Sequence, residues 1–313
     1  MSTATPWIAV TGATGFIGRT LCAHLQANGY SVRALVRKAD AATSLAASGV
    51  ALIIGDLSRE DSLTALLDDA AAVIHLAGAV RGSSPESFKR TNVDGTQRLI
   101  DVASRSAHPP KLIYISSLAA REPQLSWYAR SKHTAEQRLQ ATTERLDWAI
   151  IRPPAVYGPG DKEMLAVFRS MARGVLPIPG DPASRVSLIH VDDLVEGIIA
   201  CLRLPKLGRR TFALDDGMPD GYAWLDMAAI AEGVWGRKVH ALRVPALLLD
   251  GLAYANLGLS RLLGYAPMLT PSKLRELRHP DWVVNNQAFT EATGWHPQVT
   301  LRSGLEKLKR SIG

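Results

Sequence analysis

The eight residues Thr11-Gly12-Ala13-Thr14-Gly15-Phe16-Ile17-Gly18 constrain this chain more than any other stretch. They follow a short apolar run, Trp7 to Val10, and open a segment, Gly18 to Asn28, whose apolar residues recur at helical spacing. Glycines between a strand and a helix predict a tight turn where backbone approaches a bound group and the first helical amides face it. In that context a glycine pattern becomes a dinucleotide-binding fingerprint. Gly12, Thr14, Gly15, Phe16, Ile17 and Gly18 are therefore expected to line a cofactor.

Short β-branched runs recur through the first half: Ile8 to Thr11, Ser31 to Val36, Ala51 to Ile54, Ala72 to Leu76, Lys111 to Ser116 and Trp148 to Arg152. Helix-like stretches such as Ser87 to Arg105 separate them, and such alternation predicts a parallel sheet covered on both faces. The expected fold is α/β, a Rossmann-type doubly wound parallel sheet with a smaller, mainly helical C-terminal substrate domain. Prolines and glycines break the alternation between Arg152 and Asp161. Residues 1–155 are assigned to the dinucleotide-binding domain, with 185–218 returning to it. Residues 156–184 and 219–313 are assigned to the cap.

The end of the second strand separates NAD from NADP, because a carboxylate there would hydrogen-bond a ribose hydroxyl and an arginine would pair a 2′-phosphate. The sequence reads Val32-Arg33-Ala34-Leu35-Val36-Arg37-Lys38, with no carboxylate. Arg37, a planar bidentate donor, and Lys38 beside it predict NADP(H) over NAD(H). Two further strand ends fit the same cleft: Asp56 and Leu57 toward the adenine, and Leu76, Ala77 and Gly78 toward its ribose. His75, just before them, reads as a hydrogen-bonded core histidine.

Tyr128 and Lys132 stand four apart in Tyr128-Ala129-Arg130-Ser131-Lys132, on one face of an expected helix. A free phenol titrates near pH ~10, so its use as acid and base near neutrality requires a neighbouring cation, which Lys132 can supply. Ser116 and Ser117 end the strand before that helix, where a hydroxyl at Ser117 would hold the reacting oxygen.

Taken in this order, the glycine spacing and the Ser117, Tyr128, Lys132 set resemble the short-chain dehydrogenase/reductase superfamily. Ile151 to Gly160, Ile189 to Leu194 and Gly294-Trp295-His296-Pro297 resemble its extended, epimerase/dehydratase-like subgroup, so the likeness spans nearly the whole chain. The resemblance implies an enzyme passing hydride between nicotinamide C4 and a carbonyl or carbinol carbon, with Tyr128 as acid and base. It implies that Lys132 also holds the nicotinamide ribose, that Asn92 orders a proton-relay water, and that Pro153 and Val156 lie at the nicotinamide end.

Within the subgroup, dehydratases carry an Asp-Glu pair after the strand-end hydroxyl, whereas this chain has Ser117-Leu118-Ala119-Ala120. Eleven positions separate Ser117 from Tyr128, a shorter loop than sugar-nucleotide members have. The leucine-rich stretch Val244 to Leu269 resembles that of the dihydroflavonol and 3β-hydroxysteroid type reductases. Its leucines suit a substrate-pocket wall, core packing, a dimer face or a membrane surface, and the sequence leaves these open. The expectation is an NADP(H)-dependent carbonyl reductase or alcohol dehydrogenase acting on a fairly apolar small molecule. The alternative is a nucleotide-sugar epimerase, for which Arg278 resembles a diphosphate clamp. A non-catalytic regulator or assembly factor is disfavoured, because Tyr128 and Lys132 are both kept.

Composition excludes other classes. The net charge of +7 comes from scattered Lys and Arg with no basic run among aromatics, so no nucleic-acid partner is expected. The two cysteines, Cys22 and Cys201, are too far apart in sequence for a zinc or redox motif, and no metal site is expected. Val244 to Gly264 carries Asp250, Asn256 and Arg261 and lacks the run of about 18 apolar residues that a membrane span needs. The short polar segment Met1 to Pro6 has no signal-peptide character, which predicts a cytoplasmic protein. The family resemblance further implies a homodimer.

Overall fold

The computed structural model describes residues 7–312, so the N-terminal segment Met1 to Pro6 and Gly313 lie outside the described residues. The central strands are β1 (Trp7–Thr11), β2 (Ser31–Val36), β3 (Ala51–Ile54), β4 (Ala70–His75), β5 (Lys111–Ile115) and β6 (Trp148–Arg152). They run parallel in the order β3-β2-β1-β4-β5-β6, and the strand Arg210–Ala213 pairs parallel with β6 to complete a seven-stranded sheet. The order reverses between β1 and β4, which opens a crevice above their carboxyl ends.

Helices cover both faces, and the pleat divides the strand residues between two cores. Ile8, Val10, Val32, Ala34, Ile74, Ile113 and Ile151 point to one face, where they meet Leu21 and Leu25 of helix α1 (Phe16–Ala27). Ala9, Leu35, Val73, Leu112, Tyr114 and Ile150 point to the other, against Leu63, Leu99 and Leu139. Burial on both faces explains why these strands read as continuous apolar runs.

A third core, with Phe168, Leu176, Met227, Leu301 and Leu305, holds a second layer of packing together. Short strand pairs frame it: Ala155–Tyr157 with Leu188–His190, and Val175–Ile178 with His240–Arg243. The helix Gln287–Thr293 packs back on the main sheet, where Phe289 meets Phe212 and Trp295 edge to face at 5.2 and 5.5 Å. The leucine-rich stretch forms a helix, Ala246–Leu263, of which only Ala253 and Ser260 are buried. Its leucines belong to none of the three cores.

Candidate active site

The site begins at the glycine turn. Gly12 has φ +76°, and a Cβ there would stand 2.7 Å from the backbone nitrogen of Ala77. A side chain would thus collide with the loop leaving β4. At Gly18 a Cβ would lie 2.2 Å from the Gly12 carbonyl oxygen, so α1 packs directly on the turn. Gly15 caps α1 with no side-chain hydrogen bond, and the first turn holds no carboxylate. The leading amides are therefore free for an anion, which the helix dipole favours, and these residues fit a dinucleotide pyrophosphate. Thr14 gives its carbonyl to Arg19 Nε at 3.0 Å, while Phe16 and Ile17 pack partly against the core.

Other expected cofactor residues gather at the same edge. Arg37 and Lys38 follow β2, both exposed. Arg37 is near enough to Asp56 to help hold its carboxyl below the usual range, after the larger effect of two hydrogen bonds from Ser58. Leu57 is buried against the helical layer. Leu76 and Ala77 are tied to β1, their amides donating to the Thr11 carbonyl at 3.1 Å and hydroxyl at 3.2 Å. Pro153 accepts from the Leu118 amide at 2.9 Å, and Val156 lies on the strand Ala155–Tyr157.

His75 sits in a buried chain, with Nδ1 2.6 Å from the Thr11 hydroxyl and Nε2 2.9 Å from that of Thr96. Burial, aided by the Lys132 charge, pushes its pKa down to about 3, so the ring is neutral and structural. Asn92 lies in a π-helical turn, Lys89–Gly95. Its carboxamide oxygen accepts from the Ala79 amide at 2.7 Å, and its nitrogen donates to the Ala79 carbonyl at 2.9 Å and Ser131 Oγ at 2.8 Å. Asn92 thus fastens the loop after Gly78 to the helix that carries Tyr128.

That helix, Trp127–Gln140, starts at Ser126, whose hydroxyl accepts from the Ala129 amide at 2.9 Å. Tyr128 and Ser117 are brought together: burial raises the phenol pKa, and a hydrogen bond with the Ser117 side chain and the Lys273 charge pull against that rise. Lys132 is held differently. Its ammonium donates to the Ile115 carbonyl at 2.7 Å and lies 4.4 Å above the Tyr114 ring. Burial brings its pKa down to about 7, against the opposing pull of the buried Glu136, which pairs with the half-buried Arg152 at 2.9 Å. Ser116, beside Ser117, keeps a buried hydroxyl with no hydrogen-bond partner among the described residues.

The cation that acts on Tyr128 is one the sequence did not single out. Lys273 Nζ stands 5.9 Å from the Tyr128 ring centroid and 2.8 Å from Glu276, which also accepts from the Ser126 hydroxyl. Burial works against the Lys273 ammonium, yet Glu276, with Glu163 and Tyr128, offsets it and holds the pKa above the ordinary lysine value. With Phe88, Val80, Pro267 and Met268, these groups line a small cleft against Tyr128. Thr270-Pro271 signals a helix start in sequence, and a helix spans Pro271–Leu277, but its position over Tyr128 depends on the tertiary path.

Known proteins are similar to this chain in sequence and fold. The profile of the NAD dependent epimerase/dehydratase family matches residues 8–213. A ceramide reductase of Caulobacter vibrioides is 37% identical over 91% of this chain and 88% of its own. A 2-alkyl-3-oxoalkanoate reductase of Stenotrophomonas maltophilia is 28% identical over 97% of this chain and 98% of its own. The UDP-glucuronic acid 4-epimerase of Bacillus cereus, solved with NAD, shares the fold at TM-score 0.73 and 21% identity, over 98% of this chain and 100% of its own.

Proposed function

This chain belongs to the NAD dependent epimerase/dehydratase family and is an NAD(P)-dependent enzyme of the extended short-chain dehydrogenase/reductase superfamily; from that premise we propose that it is an NADP(H)-dependent carbonyl reductase. Its substrate class is a ketone borne on a long apolar chain, with ceramide-like lipids the first to test. The observation that carries this reading is Tyr128, set against Ser117, beside a small cleft where Phe88, Val80, Pro267 and Met268 stand among the polar Ser126, Thr270, Lys273 and Glu276. Two full-length relatives named as reductases of a ceramide and of an alkyl oxoalkanoate support the substrate class.

When bound, the nicotinamide supplies the hydride. Ser117 donates a hydrogen bond to the carbonyl oxygen, and Tyr128 delivers its phenolic proton to that oxygen as the carbon is reduced. Lys132 and Asn92 hold the Tyr128 helix and the Gly78–Ala79 loop, and Lys132 would hold the nicotinamide ribose. Gly12, Gly15 and Gly18 hold the pyrophosphate, while Arg37 and Lys38 take the 2′-phosphate. The free, buried thiols Cys22 and Cys201 suit a reducing compartment, and a cytoplasmic location belongs to the same reading.

A nucleotide-sugar epimerase would need a free cation for the diphosphate. Arg278 is engaged by Asp250 at 2.8 Å, the Pro179 carbonyl at 3.1 Å and the Ala246 carbonyl at 3.2 Å, which weighs against that role. Oxidation of added NADPH or NADH, followed with long-chain ketones, short ketones and UDP-sugars, tests the proposal. NADPH consumption with a long-chain ketone is expected. Interconversion of a UDP-sugar without net cofactor consumption would overturn it.

A further inference from the structure

The helix Ala246–Leu263 is amphipathic in the opposite sense to a packed helix. At about 100° per residue, its inward side carries Leu249, Ala253, Asn256, Leu257 and Ser260. The outward half-turn carries Leu247, Leu248, Leu252, Leu259, Leu262 and Leu263, with Tyr254 at its margin, and no charged side chain. Leu247 and Leu262 are 89% and 84% exposed. A Cβ built at Gly251 or Gly258, on the same side, would meet nothing within 4 Å. A contiguous apolar face of this kind marks an interaction site.

Charge identifies the occupant. From Arg237 to Arg261 the sequence has four Lys and Arg residues and a single carboxylate, Asp250. That carboxylate is paired with Arg278 at 2.8 Å. Arg243 and Arg261, both exposed, flank the two ends of the leucine face. A second copy would set this basic margin against itself across a two-fold axis, whereas an anionic lipid surface complements it. No helix among the described residues is long and apolar enough to cross a membrane. The helix therefore suits the interface plane, its leucines in the acyl boundary and its arginines among headgroups.

We infer that Ala246–Leu263 docks this protein on an anionic bilayer. The chain leaving the docked helix supplies Pro267, Met268 and Thr270 to the cleft against Tyr128, so docking would bring that cleft to the membrane surface. The inference goes beyond the substrate reading and does not depend on it.

Flotation of the full chain with phosphatidylcholine vesicles, with and without phosphatidylglycerol, reads docking directly, with neither substrate nor cofactor present. The wild type is expected to float with the mixed vesicles. The double variant L247D/L262D, altered at two exposed positions and checked for an unchanged melting temperature, is expected to lose roughly tenfold or more of the bound fraction. R243E/R261E is expected to lose the preference for phosphatidylglycerol. A wild type that stays unbound with both vesicle types, or an L247D/L262D chain that floats as well as the wild type, overturns the inference. So does a wild-type dimer in analytical ultracentrifugation that L247D/L262D converts to monomer without affecting flotation, which assigns the face to a second copy.

Discussion

The Ser117 side chain lies against the Tyr128 phenol at the carboxyl edge of β5 and pulls against the rise that burial gives its pKa. One helical turn along, Lys132 instead sends its ammonium to the Ile115 carbonyl at 2.7 Å. The acid and base group and its nearest expected cation thus face different partners, and Lys273 bears on the phenol from the opposite wall.

The glycine turn tolerates no side chain at its helical end. Gly18→Ala would place a Cβ 2.2 Å from the Gly12 carbonyl oxygen and 2.7 Å from Ala13 Cα, both backbone atoms that cannot rotate away. A stability loss of about 1–3 kcal/mol is expected by urea denaturation. Stability equal to the wild type would show that α1 does not seat on the turn as described.

The proposed preference for NADPH rests on Arg37. Loss of a charge-assisted hydrogen bond to a phosphate predicts that Arg37→Ala raises the KM for NADPH roughly 10- to 100-fold and leaves that for NADH nearly unchanged. Equal effects on both cofactors would remove the 2′-phosphate role.

Lys132 couples the site to stability. Its pKa falls from 10.5 to about 7 on folding, so between those values the unfolded chain holds a proton that the folded chain has released. Stability from this group is therefore fully present above pH 10.5 and is lost as the pH falls toward 7. Lys132→Met is expected to flatten that rise in denaturation midpoints measured across the window. An unchanged slope would show that the ammonium is not desolvated.

Lys273 lowers the Tyr128 pKa, against the stronger effect of burial. Under the proposed mechanism Tyr128 accepts the proton in carbinol oxidation, so activity is expected to climb as the phenol ionises. Lys273→Met is expected to shift that climb to higher pH by up to about one unit. An unmoved profile with reduced activity would make Lys273 a structural residue only.

How much of this was legible in the sequence depends on the range of the interaction involved. The strands from β1 to β6 lie within two residues of the expected runs, because burial on both faces of a parallel sheet writes continuous apolar stretches into the chain. The neutral core role of His75 followed from its position at the end of β4. Spacing placed Tyr128 and Lys132 on one helix, but a four-carbon stem reaches several acceptors, and nothing local pointed to Ile115. Lys273 and Glu276 lie far along the chain, where only the tertiary path sets them over Tyr128. The leucines of Ala246–Leu263 could not be assigned to core or surface, since a helix apolar on most sides carries no periodic sign of which side is covered. The return of Phe289 and Trp295 to the main sheet was hidden because, as with Lys273, only the tertiary path brings them against Phe212.

The most direct test of the account is turnover by Tyr128→Phe on a long-chain ketone, with NADPH binding followed by fluorescence in the same preparation. The phenyl ring keeps the packing against Phe88, at 6.3 Å between centroids, and removes only the hydroxyl. The account predicts kcat lower by roughly 100- to 10,000-fold with NADPH affinity unchanged. Near-wild-type turnover with NADPH bound would contradict it.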